Sequence, residues 1–226
     1  MNGSYTVEQL RQKGMEVPVV GFEDEIRVFQ ALDKKSSSIS NGILFVGDSD
    51  IKYWTINDQF SNDFNGLPVL NRGFGGARTW ETLLYFDDLV LPSQPSIIVY
   101  CCGDNDIARL GKNGVQSAVL GFQLFVELIK SKADFVKKVL YLEIHPSPVD
   151  EHLWSYISEA NEKLEEFCNK DNMLEFVTYK FLLQNESGKL DSENFKEDQY
   201  HFSPKFYKRF AEFLKPKLNI NKDFYG

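Results

Sequence analysis

Short apolar segments rich in β-branched residues recur along the chain and alternate with longer stretches whose apolar residues have helical spacing. The short segments are bounded by turn-forming residues and are too short for typical helices, so we interpret them as strands. The five predicted strands are Ile43–Val46, Val69–Leu70, Ile97–Cys101, Val139–Ile144 and Phe176–Val177. The predicted helices are Glu23–Lys35, Thr79–Asp88, Val115–Lys130, Leu153–Cys168 and a final helix that begins at Ser203-Pro204.

This alternation predicts the fold class. Parallel strands need a crossover connection, so repeated strand–helix units indicate an α/β protein with a five-stranded parallel sheet covered by helices on both faces. We expect a single domain over residues 1–226, with residues 1–41 as an N-terminal helical segment packed on it. Residues 36–42 are interpreted as the loop that leads into the first strand.

Composition and charge exclude several classes of protein. The 33 acidic and 25 basic side chains give a formal net charge of −8, spread without long single-sign runs, so we expect no nucleic-acid partner. The hydrophobic content of 42% excludes disorder over most of the chain. The sequence has no internal repeat, which excludes solenoids and propellers.

Cysteine usage and the N-terminus indicate a cytoplasmic location. Cys101, Cys102 and Cys168 are too few and too irregularly spaced for a disulfide framework or a CxxC metal site, so we interpret them as buried thiols in a reducing compartment. Charged residues interrupt the first 20 positions, and no window has about 20 apolar residues, so we expect neither a signal peptide nor a membrane span.

Reactive and turn-forming residues follow the predicted strands at their carboxyl ends, where open α/β sheets bind ligands. Gly47-Asp48-Ser49 follows the first strand, and Asn71-Arg72-Gly73-Phe74-Gly75-Gly76 follows the second. Gly103-Asp104-Asn105-Asp106 follows the third, and a long polar loop after the fifth contains Asp198-Gln199-Tyr200-His201. We expect these four blocks to meet at one edge of the sheet.

Together the blocks supply the parts of a serine hydrolase. His201 can take the proton of the Ser49 hydroxyl, while the Asp198 carboxylate holds the imidazole tautomer and stabilises the imidazolium. The developing oxyanion needs donors, and the sequence offers the Ser49 N–H, the Gly76 N–H and the Asn105 carboxamide. This chemistry requires no metal and no other cofactor.

The four blocks resemble those of the GDSL-type, or SGNH, hydrolase superfamily in order and approximate spacing. The resemblance extends from about Phe22 to about Leu214, and the stretches Asn71–Ala77 and His145–Pro148 look like a branch of GDSL-type esterases or lipases. Asp50 stands where the family name has leucine.

This resemblance implies a three-layer, flavodoxin-like α/β/α fold and hydrolysis of carboxylic esters through an acyl-serine intermediate. By position it implies Ser49 as the nucleophile, with Asp198 and His201 completing the triad. The oxyanion hole corresponds to Ser49, Gly76 and Asn105.

Other interpretations of individual residues stay open. Asn71–Gly76 is similar to a phosphate-binding turn but lacks the third glycine of GxGxxG. Asp104 and Asp106 lack the further ligands of a calcium loop, so we interpret them as turn residues or as hydrogen-bond partners of Asn105. His145 and His152 are interpreted as structural or rim residues. Arg72 and Arg78 favour either an anionic substrate or a structural ion pair.

The substrate class also stays open. A small-molecule or lipid ester is expected, and the alternatives are a carbohydrate O-deacetylase, a lysophospholipase, a thioesterase or a non-catalytic flavodoxin-like binding module. The sequence predicts neither the oligomeric state nor whether Gln184–Gln199 forms a lid beside His201.

Overall fold

A computed structural model describes residues 4–18, 21–34 and 40–218. Within them, five strands form one parallel sheet in the order β2-β1-β3-β4-β5. The strands are β1 (Ile43–Gly47), β2 (Val69–Gly73), β3 (Ile97–Cys101), β4 (Lys138–Leu142) and β5 (Leu174–Val177). The predicted five-stranded parallel α/β fold is confirmed.

Helices cover both faces of the sheet. The α-helices are α1 (Val7–Gln12), α2 (Glu23–Asp33), α3 (Ser49–Lys52), α4 (Gln59–Asp63), α5 (Thr79–Leu84), α6 (Phe86–Leu89), α7 (Asp104–Leu110), α8 (Lys112–Lys132), α9 (Trp154–Cys168), α10 (Lys180–Leu183) and α11 (Pro204–Leu214). The 3-10 helices are Tyr53–Asp58, Pro148–Leu153, Ser192–Asn194 and Lys215–Leu218. None of the helices in the described ranges is both long and apolar enough to cross a membrane.

Two apolar clusters hold the layers together, because successive strand residues point to opposite faces of the sheet. Leu44 and Ile98 belong to the cluster beneath α5, α8 and α9, whereas Phe45 and Val99 belong to the cluster beneath α11. Every residue of β1 and β3 is buried, as expected for central strands of a covered parallel sheet.

The N-terminal helices pack on the first of these clusters. Leu10 of α1 and Ile26 of α2 are buried in it. Asp33 of α2 pairs with the buried guanidinium of Arg72, which also lies 4.8 Å from the centre of the Phe29 ring. Arg72 therefore has a structural role.

Residues 35–39, which contain the end of the predicted helix and most of the predicted loop, lie outside the described residues. The single-domain organisation stays a prediction.

Helix α11 closes the second face and also contacts the segment after β1. Ser203 caps it by accepting the Phe206 N–H at 3.3 Å, as its position before Pro204 predicts. The ring of Trp54 stacks on Tyr207 and Phe210, with centroid distances of 4.9 and 5.6 Å. The Tyr207 hydroxyl also donates to the Asp50 carbonyl oxygen at 2.8 Å, so α11 helps to hold α3 in place.

Several predicted boundaries are wrong by a few residues. Strand β4 ends at Leu142 because the Ile144 backbone instead exchanges two hydrogen bonds, of 2.9 and 2.8 Å, with the Asn161 side chain. The helix predicted over 79–88 breaks at Tyr85, which leaves the helical region with φ −103° and ψ 18°. Strand β2 continues to Gly73, paired with Gly47.

Candidate active site

The loops at the carboxyl ends of β1, β2 and β3 gather the predicted site residues at one edge of the sheet. Ser49 begins α3 directly after β1, and Asn105 lies in the first turn of α7 after β3. Gly76 follows β2, which is the neighbour of β1 on its other side. Asp198 and His201 approach from the loop before α11.

Ser49 occupies the first position of a short helix. Its hydroxyl-bearing side chain is nearly buried, and the residue before it, Asp48, accepts the Asp50 N–H at 3.0 Å as an N-cap. The first N–H groups of a helix have no intrahelical acceptor. The Ser49 N–H is therefore available to a bound group at the sheet edge.

Strand β2 lies unusually close to α3. A Cβ on Gly73 would overlap the backbone nitrogen of Lys52, so only glycine allows this approach. The Asn71 side chain reinforces the contact, because it donates to the Ile51 carbonyl oxygen at 2.7 Å and accepts the Gly73 N–H at 2.9 Å.

The chain then turns at Gly76, whose φ of 81° lies in the left-handed region that favours glycine. The Ala77 N–H closes this turn on the Phe74 carbonyl oxygen at 3.2 Å. A Cβ on Gly75 would lie 3.9 Å from the Ser49 Cβ, so the turn passes beside the serine.

In the segment Gly103–Asp106, which follows β3, Asn105 is held by its neighbour Asp104. Asp104 Oδ1 accepts both the Asn105 N–H at 2.6 Å and the Asn105 Nδ2–H at 3.0 Å. This confirms the interpretation of Asp104 as a hydrogen-bond partner of Asn105. The buried Asp106 instead accepts from Thr79 and Ser117, and burial raises its pKa to about 6 although these hydrogen bonds lower it.

Asp198 and His201 form a close pair, as their i, i+3 spacing predicts. His201 Nδ1 lies 2.7 Å from Asp198 Oδ2, while Asp198 Oδ1 accepts the N–H groups of Tyr200 and His201, each at 3.0 Å. Burial raises the pKa of Asp198, but these hydrogen bonds outweigh it and lower the pKa to about 2. Asp198 is therefore an ionised partner for the imidazole at neutral pH.

Aromatic contacts bring His201 to the helix that carries Ser49. Its ring meets the edges of Tyr53 and Tyr200, with centroid distances of 4.7 and 4.9 Å. Tyr53 directly follows α3. No hydrogen bond joins Ser49 to His201 among the residues that the structure describes, as is common in enzymes without bound substrate.

A buried acidic cluster lies beneath Ser49 and was not predicted. His145 Nε2 is 2.9 Å from Asp50 Oδ2, and both side chains are almost fully buried, so His145 is a structural residue and not a rim residue. Burial lowers the pKa of His145, but the Asp50 carboxylate outweighs this and raises it. Burial and the carboxylates of Asp104 and Asp50 raise the pKa of Asp48 well above its usual value.

Part of this cluster has the composition of a metal site, but it is tightly packed. Asp48, Asp50 and Cys101 offer ligand atoms within 4.8 Å of one another. Burial and the nearby carboxylates raise the pKa of the Cys101 thiol. The enclosed space there is about 10 Å³, and the Asp50 carboxylate already contacts His145.

The loop that carries His201 also lines two open clefts. One, of about 300 Å³, has walls from Tyr53, Ile56, Asn57, Gln59, Asn62, Lys196, Pro204 and Tyr207. The other, of about 500 Å³, has a mixed lining of apolar and polar residues, which are Pro146, Pro148, Trp154, Gly188, Leu190, Glu151, Lys180, Gln184, Lys189, Ser192 and Gln199.

Behind the Gly76 turn, Glu81 pairs with Arg78. Glu81 Oε2 accepts the Arg78 N–H at 2.8 Å, and its Oε1 lies 3.7 Å from the Arg78 guanidinium. Arg78 is therefore engaged in a structural ion pair. Burial raises the pKa of Glu81 to about 7, although the hydrogen bond and the guanidinium act in the opposite direction.

Glu81→Gln is expected to weaken the pH dependence of folding. A carboxyl group whose pKa is raised by folding stabilises the folded state at low pH, and this contribution is lost as the pH rises from about 4.5 to about 7. Glutamine keeps an acceptor for Arg78 but cannot ionise. The free energy of unfolding of the variant, relative to wild type, should therefore increase by up to about 3 kcal/mol between pH 4.5 and pH 8.

Urea denaturation at both pH values measures this change. Glu162→Gln, on the exposed side of α9, is the matched control and should give the same difference from wild type at both. An equal difference for Glu81→Gln at the two pH values would show that Glu81 ionises normally.

Known proteins resemble this chain in sequence and in structure. The sequence matches the GDSL-like lipase/acylhydrolase family over residues 38–209. No curated protein gives a significant match. Among solved structures, a Streptococcus pneumonia protein provisionally named as a platelet activating factor superimposes with a TM-score of 0.75 and 23% identity, over 87% of this chain and 92% of that one.

Two further structures are similar in fold. A GDSL-like lipase from Bacteroides thetaiotaomicron has a TM-score of 0.71 and 19% identity, over 85% of this chain and 96% of that one. A catalytic mutant of an acetylxylan esterase from Geobacillus stearothermophilus has a TM-score of 0.62 and 15% identity, over 78% and 94% of the two chains. At these identities the likeness concerns the fold.

Proposed function

The chain belongs to the GDSL-like lipase/acylhydrolase family and is a hydrolase of ester bonds, and we propose that Ser49 is its nucleophile, with His201 and Asp198 as base and orienting carboxylate. The observation that carries this assignment is the 2.7 Å contact between His201 Nδ1 and an ionised Asp198, at the sheet edge where α3 presents Ser49. This pair leaves Nε2 of His201 as the nitrogen for proton transfer.

The reaction then proceeds in two steps. In the first, Ser49 Oγ attacks the ester carbonyl carbon while His201 takes the hydroxyl proton, and Asp198 stabilises the imidazolium. The bond to the alcohol breaks, and His201 returns the proton to the leaving oxygen. In the second, water attacks the acyl-Ser49 ester, His201 takes a proton from the water, and the acid leaves as Ser49 regains its proton.

Three donors from three loops are assigned to the oxyanion. They are the N–H of Ser49, the N–H of Gly76 and the carboxamide of Asn105, which follow β1, β2 and β3. Support comes from the free helix-start N–H of Ser49 and from the left-handed turn at Gly76 beside it. Loss of one such donor typically costs about 3–4 kcal/mol in the activation barrier.

We further propose that the substrate is a small ester, because the lining of the larger cleft beside the His201 loop includes the charged side chains of Glu151, Lys180 and Lys189, which a long acyl chain would remove from water. Acetyl esters fit this description, and an acetylxylan esterase shares the fold. The three buried free cysteines support a reducing compartment such as the cytoplasm. A p-nitrophenyl ester series from acetate to palmitate tests the chain length, and turnover that increases with chain length would contradict this substrate assignment.

A fluorophosphonate probe tests the nucleophile directly. We expect labelling of the wild-type protein at Ser49, located by peptide mass spectrometry, because only an activated serine reacts with such a probe. Ser49→Ala should not be labelled. The matched control Ser93→Ala, which changes a buried serine whose hydroxyl contacts the Val90 carbonyl oxygen, should label like wild type.

Labelling at any other residue would contradict the assignment of Ser49. If the wild-type protein is not labelled between pH 6 and pH 9, the non-catalytic binding module becomes the better interpretation.

A further inference from the structure

Tyr200 and Asp104, which have no role in the proposed reaction steps, connect the His201 loop to Asn105. The Tyr200 hydroxyl donates to Asp104 Oδ2 at 2.7 Å, across 96 positions of sequence. The other carboxylate oxygen of Asp104 accepts the backbone and side-chain N–H groups of Asn105. A continuous hydrogen-bonded path therefore extends from the residue before His201 to the carboxamide of Asn105.

The Tyr200 hydroxyl keeps its proton in this path. Burial and the Asp104 carboxylate raise the pKa of Tyr200 well above its usual value, so its hydroxyl remains a donor. Burial and the neighbouring Asp104 carboxylate also raise the pKa of Asp48. The Tyr200 ring additionally lies edge-on to the ring of His201 at 4.9 Å.

The Asp104 carboxylate favours one of the two orientations of the Asn105 carboxamide. A carboxamide has a donor end and an acceptor end, and a flip about its terminal bond exchanges them. A carboxylate next to the amide favours the orientation in which NH₂ faces it, because the flipped amide would place two oxygen atoms together. One N–H then binds Asp104, and the other remains for an oxyanion.

The Asp104 carboxylate also has an unfavourable electrostatic effect on the oxyanion. Its negative charge lies near the place where the proposed reaction develops a second negative charge, and like charges repel strongly in a partly buried site. A hydrogen bond from Tyr200 draws part of the Asp104 charge towards its hydroxyl. Removal of that donor would leave the side chain of Asp104 held by Asn105 without the bond from Tyr200, and would increase the repulsion.

We propose that Tyr200 is a positioning residue for ester hydrolysis, which acts through Asp104 to orient the Asn105 carboxamide towards the oxyanion. This inference rests on the proposed function, in which Asn105 is an oxyanion donor. It assigns to Tyr200 an effect on the transition state rather than on substrate binding.

A double-mutant cycle tests the inference through kcat and KM for p-nitrophenyl acetate. Tyr200→Phe should lower kcat about tenfold with KM within twofold of wild type, because it removes one hydrogen bond to a charged group. Asn105→Ala should lower kcat at least about a hundredfold. The double variant should be no more than about twofold slower than Asn105→Ala, because Tyr200 then has no carboxamide to orient and only its smaller effect on the Asp104 charge remains.

Tyr5→Phe is the matched control, because this partly buried tyrosine also hydrogen-bonds a carboxylate, that of Glu127 on α8, and its kcat should be unchanged. Thermal unfolding of each variant separates loss of activity from loss of fold. A further tenfold loss of kcat from Tyr200→Phe in the Asn105→Ala background would overturn the inference, as would a wild-type kcat for Tyr200→Phe alone. Wild-type protein that is inert towards the esters and unlabelled by the phosphonate would overturn the proposed function, and this inference with it.

Discussion

Ser49→Ala and His201→Ala are each expected to lower kcat for p-nitrophenyl acetate by a factor of about 10⁴ to 10⁶, because either change removes the activated nucleophile. The two residues act as one unit, so the double variant should be no slower than the slower single variant. Asp198→Asn should cost about 10⁴ at most, since it leaves the nucleophile and base in place but removes the charge that stabilises the imidazolium.

Stopped assays with extended incubation measure such low rates, and Ser93→Ala serves again as the buried-serine control with wild-type kcat. KM should change little in all three catalytic variants. A His201→Ala variant that retains a tenth of wild-type kcat would exclude His201 as the base. Additive losses in the double variant would show that Ser49 and His201 act in separate steps.

Gly73→Ala is expected to lower the free energy of unfolding by roughly 3 kcal/mol or more, because a methyl group there overlaps backbone atoms of α3 that cannot rotate away. Lys52, whose nitrogen it would meet, ends the helix that Ser49 begins. Displacement of α3 should therefore lower kcat in whatever fraction of the protein still folds. The loss of activity should exceed the loss of folded protein.

Gly21→Ala is the matched control, because its added Cβ would meet no atom within 4 Å and its backbone is not left-handed. Urea denaturation by circular dichroism gives the unfolding free energy of each variant, and titration with the phosphonate probe gives the fraction with an active site. Equal stability of the two variants would show that β2 and α3 separate easily, and that their close approach does not position Ser49.

The parts of the site that the sequence predicts are those encoded by neighbouring residues. Asp198 and His201 are three positions apart in one loop, and their spacing predicts the contact that the structure contains. Ser49 and Asn105 each follow an apolar strand directly, and adjacent parallel strands end at the same edge of a sheet. Such local patterns depend little on how distant segments pack.

The remaining contacts join segments far apart in the chain and leave no local pattern. The His145 ring contacts the Asp50 carboxylate, and the Tyr200 hydroxyl donates to the Asp104 carboxylate. A histidine after an apolar strand predicts a buried or a rim position equally well. Only the packed structure distinguishes the two, because burial depends on the loops that cover the strand.

The elements of the fold that the sequence predicts are likewise those with a clear local pattern. Fully apolar strands such as β1 and β3 are clear from the sequence, whereas α7 was missed because it has seven residues and one buried apolar side chain, Ile107. The break at Tyr85 was missed because its backbone turn carries no glycine or proline. Short elements like these are stabilised by tertiary contacts more than by their own composition.

The stack of α11 on Trp54 has a consequence for the synthesis of the enzyme. A chain emerging from the ribosome exposes Ser49 well before His201 and the helix that packs on Trp54. The sheet can form during translation, while the proposed base His201 and helix α11, which contacts α3, are still inside the ribosome. We therefore expect nascent chains to be inactive until His201 has emerged, and the onset of hydrolysis on stalled ribosomes to report the docking of α11.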